Sequence, residues 1–259
     1  MRKHRTTTEL RSINITPTIF DNADGSVLIE FGKTKVLCAV TLQDKVPPFL
    51  KGTKTGWLTA HYSMLPTSCQ NRIEREIKLG KPNGRFTEIS RLIGRCLRTA
   101  LNLELLGEKT IIIDCDVLQA DGGTRTAALT GACLAIAYAQ ERWLQDNKIS
   151  QPIIQDPIAA VSVGLKDDQI LVDLDYNEDS TIDADFNFVM TRSGGIIEIQ
   201  GTAEQKPVTM QQFNQMTHAA EQAIQNLFAI RDSFIANNDL TTNLRCDIYN
   251  LNRSKTNTL

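Results

Sequence analysis

A strand, a turn and a helix meet in the run Gln119-Ala120-Asp121-Gly122-Gly123-Thr124-Arg125-Thr126. A β-rich apolar run at 110–116 precedes it, and an Ala-rich stretch at 126–144 follows it. Helix N-termini carry unpaired backbone N–H groups and a positive dipole end, and two glycines allow a close backbone approach. Together with the threonine hydroxyls and the guanidinium of Arg125, this pattern is typical of an anion pocket. A glycine turn with a threonine N-cap explains the run equally well.

The rest of the chain repeats an order of strands followed by a long helix. Apolar runs predict strands at 26–31, 34–42, 57–62 and 110–116, and then at 159–165, 169–174, 186–190 and 196–201. Helical spacing begins at Thr87, Thr126 and Thr209, and Gln212 gives the last of these a capping-box pattern. The helix at 126–144 is apolar nearly all round, which predicts a buried, central position. This order predicts an α+β fold of two related halves packed as layers.

The predicted boundaries follow from composition. Residues 1–236 are predicted to form a single domain, with halves at about 1–150 and 151–236 joined by a connection at 152–157. The polar segment 64–85 lacks a steady period and is predicted to be exposed and mobile. Residues 237–259 are rich in Asn and Thr and poor in apolar residues, which predicts a disordered tail.

Bulk composition excludes several classes of protein. The 259 residues carry a net charge of −2, so any binding of nucleic acid needs a local basic patch. None of the 6 cysteines forms a C-x-x-C pair, which argues against zinc, and Cys38, Cys96, Cys115 and Cys133 lie in apolar runs, as buried thiols do. No secretory h-region follows the basic start, and no apolar run approaches the length of a membrane span. These features predict a cytoplasmic protein.

Carboxylates crowd the stretch 173–185, between two predicted strands: Asp173, Asp175, Glu178, Asp179, Asp183 and Asp185. At this density they repel one another and need a cation, a base or water in compensation. Mg²⁺ takes few protein carboxylates and many waters, so it suits such a stretch. A loop carboxylate with a raised pKa also serves as a general acid. A solvated acidic loop is the alternative interpretation.

A basic segment precedes the first long helix, with cationic side chains at Arg72, Arg75, Lys78, Lys81 and Arg85. These residues are able to follow a phosphate backbone, and Arg85 is placed to meet an anion near the start of the helix. Glutamates interleave with the arginines, so an ordinary charged surface remains an alternative. The run at 123–125 lacks the G-K-[ST] ending of a P-loop, which argues against an ATPase.

Taken together, these residues resemble the ribonuclease PH family, which are phosphate-dependent 3′-to-5′ exoribonucleases. The similarity runs from about Arg2 to about Ala236 and is dense rather than confined to one motif. Its most specific stretch is 114–126. The other matching stretches are 25–32, 49–52, 56–60, 91–95, 178–180 and 199–204.

The resemblance implies a fold, an assembly and a reaction. The fold is that of two βαβ-like halves, similar to ribosomal protein S5 domain 2, with mixed sheets packed with helices. The assembly is a homohexameric ring built as a trimer of dimers. The reaction trims the 3′ ends of tRNA precursors: inorganic phosphate attacks the last phosphodiester and releases a nucleoside 5′-diphosphate. The exchange is reversible, so diphosphates extend RNA.

The resemblance also implies the site residues. Inorganic phosphate, the co-substrate, binds at Arg85, Gly123, Thr124 and Arg125. Asp179 and Asp185 form the catalytic pair and hold Mg²⁺, while Arg72 and Arg75 contact RNA. A plain carboxylic acid is largely ionised at neutral pH, so the general acid is either a carboxyl with a raised pKa or a metal-bound water.

Three departures from the family pattern touch the RNA-contacting segment. Thr67 follows Met-Leu-Pro where members usually carry Arg, residues 68–71 also differ, and Asn83 stands where Gly is common. We expect intact chemistry with an altered affinity for tRNA. An inactive ring subunit and a fragment of a polynucleotide phosphorylase are the competing hypotheses. The first tends to lack the phosphate-site arginine or the acids, and the second carries two copies of this fold plus RNA-binding modules.

Overall fold

The computed structural model describes residues 2, 5–75 and 83–237. In chain order the strands are β1 (Ile13–Pro17), β2 (Gly25–Phe31), β3 (Thr34–Gln43), β4 (Trp57–Met64), β5 (Thr110–Gln119), β6 (Ile158–Lys166), β7 (Gln169–Val172), β8 (Ala184–Thr191) and β9 (Ile196–Ala203). The helices are α1 (Gly84–Ala100), α2 (Leu103–Leu106), α3 (Thr124–Gln145), α4 (Tyr176–Asp179) and α5 (Met210–Asn237). A single 3-10 turn, Pro48–Leu50, lies between β3 and β4.

The strands form two sheets. The first has the order β1-β2-β3-β5-β4 and the second the order β7-β6-β8-β9. β4 and β5 run parallel, with Trp57 opposite Thr110, and α1 lies between them in the chain because parallel neighbours need a crossover. The other pairings within the described part of the chain are antiparallel. The mixed sheets packed with helices confirm the α+β prediction.

Helix α3 is the buried centre of the molecule. It packs on β2 and β3 of the first sheet and on β6 of the second. Gly131 allows the close approach to the first sheet, because a Cβ there would lie 2.7 Å from Cγ2 of Ile29. On the other side, the hydroxyl of Thr130 accepts a hydrogen bond of 3.1 Å from the backbone N–H of Ala160 in β6. The prediction of a central helix, made from its apolar surface, is therefore confirmed.

Helix α1 begins earlier than the sequence predicted. The helical spacing predicted a start at Thr87, whereas the first residue is Gly84. The cause is Asn83, whose Oδ1 accepts hydrogen bonds from the backbone N–H groups of Arg85 (3.0 Å) and Phe86 (3.4 Å). An asparagine cap of this kind satisfies N–H groups that the first helical turn leaves without partners.

Some predictions fall wholly or partly outside the described residues. Of the segment 64–85, residues 76–82 are not described, and of the predicted tail only Asn237 is described, as the last residue of α5. The four cysteines predicted to be buried thiols are buried, and none of them forms a disulfide with another described cysteine. Within residues 2, 5–75 and 83–237, no helix combines the length and the hydropathy that crossing a bilayer requires.

Candidate active site

A cleft of about 530 Å³ lies where the N-terminus of α3 meets α4 and the start of β8. Six of the eight predicted site residues line it: Arg85, Gly123, Thr124, Arg125, Asp179 and Asp185. The other two, Arg72 and Arg75, are exposed and flank the cleft-lining residues Ile73 and Glu74 without lining the cleft themselves. The fold thus brings the anion-pocket run and the acidic stretch of the sequence into one cavity.

The turn before α3 has a backbone that favours glycine at two consecutive positions. Gly122 has φ 74° and Gly123, the N-cap of α3, has φ 63°, both in the left-handed region. A Cβ on Gly122 would lie 2.4 Å from the carbonyl oxygen of Leu174. Glycine therefore lets this turn pack directly against the segment that leads into α4. The N-terminal N–H groups of α3 consequently open beside the carboxylates.

Thr124 is held by a tyrosine from another strand. The hydroxyl of Tyr62, in β4, donates a 2.9 Å hydrogen bond to Oγ1 of Thr124, and both side chains are buried. Burial raises the pKa of Tyr62 to about 12, so its hydroxyl keeps its proton at neutral pH. This contact fixes the threonine at the first position of α3.

Arg125 is oriented by a network on β9. Its Nη1 donates to Oε1 of Gln200 at 2.8 Å and lies 3.9 Å from the Glu88 carboxylate. The amide Nε2 of Gln200 in turn donates to Oε1 of Glu88 and Oε1 of Glu198, both at 3.1 Å. Glu198 accepts a 2.5 Å hydrogen bond from Nε of Arg95. The guanidinium of Arg125 is thus directed by a chain of side chains from α1 and β9.

Asp185 is half-buried and Asp179 is more exposed, and both interact with the arginines of the cleft. Burial raises the pKa of Asp179, the charge of Asp185 raises it further, and Arg85 opposes the shift. Burial also raises the pKa of Asp185, the charge of Glu204 adds to this, and Arg125 opposes it. The four side chains line one cleft. The start of α3 with Arg85 and Arg125 forms its anion-binding end, and Asp179 and Asp185 form its acidic end.

The donor set suits a hard divalent cation. Asp179 and Asp185 offer carboxylate oxygens, and a cation would relieve the repulsion that raises the pKa of Asp179. Mg²⁺ is commonly held by one or two carboxylates together with substrate phosphates and waters. Among the residues that the structure describes, no cluster of three or more His, Cys, Asp or Glu is arranged as a metal site. The pair fits Mg²⁺ completed by substrate, and it does not fit an all-protein cage.

The sequence interpretation missed three residues of the site. Gln200 and Glu204 lie in the matching stretch 199–204 but received no role, although an amide and a carboxylate beside a strand end were visible there. Glu204 lines the cleft as a further carboxylate beside Asp179 and Asp185. No sequence motif around Tyr62 indicates a role at the site, because its position beside Thr124 depends on the parallel pairing of β4 with β5.

Comparison with known proteins places this arrangement among RNA-degrading enzymes. Residues 9–140 match the model described as 3′ exoribonuclease family, domain 1, and residues 156–223 match domain 2 of that family. Two similar relatives are the proteins named Ribonuclease PH from Neisseria meningitidis serogroup C and serogroup A. Each is 49% identical over 227 residues, covering 88% of this chain and 94% of the relative.

Solved structures share the fold at low sequence identity. A structure titled archaeoglobus fulgidus exosome with RNA bound to the active site has a TM-score of 0.75 at 20% identity, covering 89% of this chain and 91% of that one. The crystal structure of rice (Oryza sativa) Rrp46 has a TM-score of 0.70 at 16% identity, covering 92% and 99%. At these identities the likeness concerns the fold alone.

Proposed function

Because the chain belongs to the 3′ exoribonuclease family, as a ribonuclease PH relative at 49% identity, we propose that it trims the 3′ ends of tRNA precursors by phosphorolysis. The observation that carries this proposal is the cleft, in which the N-terminus of α3 and two arginines face a pair of carboxylates. A hydrolase needs to hold one anion, whereas a phosphorolytic enzyme must hold two together. Arg85, Arg125 and the helix end supply the positive charge that offsets this repulsion.

The reaction follows from the two ends of the cleft. Inorganic phosphate binds at Gly123, Thr124, Arg125 and Arg85, and one of its oxygens attacks the phosphorus of the terminal RNA nucleotide. The bond from that phosphorus to the 3′ oxygen of the preceding nucleotide breaks. The products are a nucleoside 5′-diphosphate and an RNA shortened by one nucleotide. The phosphodiester bond that breaks is replaced by the phosphoanhydride bond of the diphosphate, so no bond energy is lost to water and the reaction also runs in the direction of extension.

The departing 3′ oxygen needs a proton. Asp179 and Asp185 lie in the cleft with pKa values raised by burial, which favours the protonated carboxyl that such a donor requires. The arginines stabilise the charge that spreads over the transferring phosphoryl group. Mg²⁺, held by whichever of the two aspartates is ionised, would add Lewis-acid stabilisation of that charge.

Substrate and assembly complete the proposal. The RNA is bound by the cleft and by Arg72 and Arg75 beside it, with an affinity for tRNA altered by Thr67. The active form is a homohexamer arranged as a trimer of dimers. The buried cysteine thiols suit a reducing compartment, and we place the enzyme in the cytoplasm. Residues 1–236 act as one catalytic domain.

The decisive assay uses a tRNA with extra 3′ nucleotides, Mg²⁺, and the presence or absence of inorganic phosphate. Nucleoside diphosphates released only with phosphate support the proposal, and Arg125→Ala should abolish their release. Arg142→Gln is the matched control, because Arg142 lies in the last turn of the same helix and donates to the carbonyl of Ala23, far from the cleft. Monophosphates released without phosphate would identify a hydrolase. Binding of RNA with no release would identify an inactive ring subunit.

A further inference from the structure

The N-terminal segment of the chain lies against residues 172–178, which lead into and form most of α4, the helix that ends at Asp179. All five N–H groups of Arg2 donate hydrogen bonds, and three of the acceptors belong to the region 172–178. Nε and Nη2 contact the two carboxylate oxygens of Glu178 at 2.6 and 3.0 Å, and Nη2 also contacts the carbonyl of Val172 at 2.6 Å. The side chain of Arg2 is only 5% exposed.

Arg5 contacts the same glutamate. Its Nη2 donates to Oε2 of Glu178 at 2.8 Å and to the carbonyl of Asp173 at 2.7 Å. Glu178 is the residue directly before Asp179 and is 13% exposed. It also completes the capping box of α4 by accepting from the backbone N–H of Asp175. Two arginines therefore hold the residue next to a proposed catalytic aspartate.

Arg11 joins this region to the anion-binding turn. Its N, Nε and Nη2 donate to the carboxylate of Asp173 at 2.8, 3.0 and 2.6 Å. Its Nη1 donates to the carbonyl of Asp121 at 2.5 Å. Asp173 is fully buried and has φ 55°, a conformation that a residue other than glycine keeps only when its surroundings enforce it. One guanidinium thus bridges Asp173, in the segment that leads into α4, and Asp121, in the turn before α3.

Helix α4 needs such support. It is four residues long, and a single helical turn has no intrinsic stability in water. Charge-assisted hydrogen bonds removed from solvent are among the strong ones, and a buried carboxylate that loses its partner carries the full cost of desolvation. Without the arginines, the position of Asp179 relative to Arg125 would depend on a single turn and a strained residue.

We propose that Arg2, Arg5 and Arg11 form an arginine clamp that positions Asp179 against the phosphate-binding turn, an inference that rests on the proposed function of this cleft. The three are positioning residues. They act on the reaction through Glu178, Asp173 and the carbonyl of Asp121. Residues at the start of the chain are thereby part of the active-site framework.

The test removes the clamp at Glu178. We expect Arg2→Gln/Arg5→Gln to lower kcat by about 10- to 100-fold, since small displacements of reacting groups have effects of this size. The KM for phosphate should change by less than about threefold, because Arg85, Arg125 and Thr124 keep their contacts. A kcat within about twofold of the wild type would overturn the proposal, as would a rise in the KM for phosphate that accounts for the loss.

Glu178→Gln supplies the second arm. It keeps the shape of the side chain and an acceptor for the capping box but loses the charge that binds the arginines, so kcat should fall by a similar factor. This variant tests the clamp even if the double variant fails to fold. If the clamp acts through Glu178, the triple variant should be no slower than the double. If the losses in kcat of Glu178→Gln and of the double variant multiply in the triple variant, the glutamate and the arginines act independently, which would contradict the proposal.

Two further variants separate the possible failures. Arg192→Gln breaks an arginine–aspartate pair with Asp232 at the far end of β8, so it should keep the wild-type kcat. Asp179→Asn should be inactive. Full activity in that variant would contradict the proposed catalytic pair and with it the proposed function, rather than the clamp alone. If Asp179→Asn is inactive while Arg2→Gln/Arg5→Gln is fully active, the clamp is contradicted and the catalytic pair is not.

Discussion

At the scale of single residues, the cleft holds carboxylates where their charge is unfavourable for folding. Burial raises the pKa of both Asp179 and Asp185, and neighbouring carboxylates add to the shift. A carboxyl with a raised pKa in the folded state loses its proton first in the unfolded state, so ionisation favours unfolding as the pH rises. Ionisation of the aspartates therefore lowers the stability of the fold at neutral pH, a pattern typical of functional residues.

The upward direction of this pKa shift gives a first prediction, for Asp185→Asn. The variant should unfold at a higher temperature than the wild type at about pH 7, and the difference should shrink toward zero at about pH 3, where the wild-type carboxyl is protonated in both states. Thermal melts of the two proteins across this range measure it. Asp44→Asn, an exposed aspartate before the 3-10 turn, is the control. A variant less stable than the wild type at neutral pH would contradict the argument.

A second prediction concerns the residue that orients Arg125. Gln200→Leu keeps the approximate size of the side chain but removes the acceptor at 2.8 Å from Nη1 of Arg125. Hydrogen bonds to charged groups contribute about 1.5–3 kcal/mol, so the KM for phosphate should rise about tenfold or more. The KM for RNA should change little. Steady-state kinetics with each substrate varied in turn measure both constants.

Gln225→Leu is the matched control for this prediction. Gln225 lies on the exposed surface of α5 and donates to the carbonyl of Arg192 at 3.2 Å. It should leave both constants unchanged. A KM for phosphate that stays at the wild-type value in Gln200→Leu would show that Arg125 finds its orientation without the β9 network.

At the scale of elements, the site depends on two segments packed without space between them. The turn before α3 touches the backbone of the segment that leads into α4, and glycine at position 122 is what permits the contact. Arg11 adds a second connection between the same two segments. The relative position of the anion-binding end and the acidic end is thus set by backbone contact and by one guanidinium.

Gly122→Ala tests this packing and is the third prediction. A Cβ at this position meets the carbonyl oxygen of Leu174 at 2.4 Å, and the backbone has φ 74°. The left-handed conformation costs about 1–2 kcal/mol and the clash about 1–3 kcal/mol more, with loss of activity as the segments separate. Gly194→Ala isolates the first contribution, because Gly194 has φ 93° and nothing within 4 Å of an added Cβ.

Urea unfolding and phosphorolysis assays of both glycine variants make the comparison. Gly194→Ala should lose about 1–2 kcal/mol and keep its activity. Equal losses in the two proteins would mean that the contact with Leu174 relaxes freely.

The sequence predicted these elements well where local pattern determines them. The eight predicted strands and the three long helices follow period and turn chemistry, and all are present, with β1 and the short helices α2 and α4 as additions. The anion pocket at 119–126 was visible because glycine, threonine and arginine act locally there. Tyr62, Gln200 and Arg11 were not predicted to act at the site, because each reaches it through strand pairing or packing across the fold.

At the scale of the whole molecule, α3 joins the two sheets. Its buried face contacts β2 and β3, and the opposite side contacts β6, including the hydrogen bond between Thr130 and Ala160. The connection between the sheets, at residues 152–157, is hydrogen-bonded to the same helix. Oε1 of the buried Gln140 accepts from the backbone N–H groups of Ile153 and Ile154. A helix shared in this way joins most of the buried apolar side chains of both sheets into one continuous core.

The fourth prediction is that both sheets unfold in one transition. Val36→Ala in β3 and Val161→Ala in β6 each remove buried methyl groups, at a cost of about 1–3 kcal/mol. Each variant should lower the temperature of the whole transition by roughly 2–4 °C per kcal/mol, with calorimetric and van't Hoff enthalpies remaining equal. Two independent halves would instead give two transitions, each moved by one substitution alone. In that case the clamp and the cleft would join bodies that fold separately, and the active site would be lost at the lower of the two temperatures.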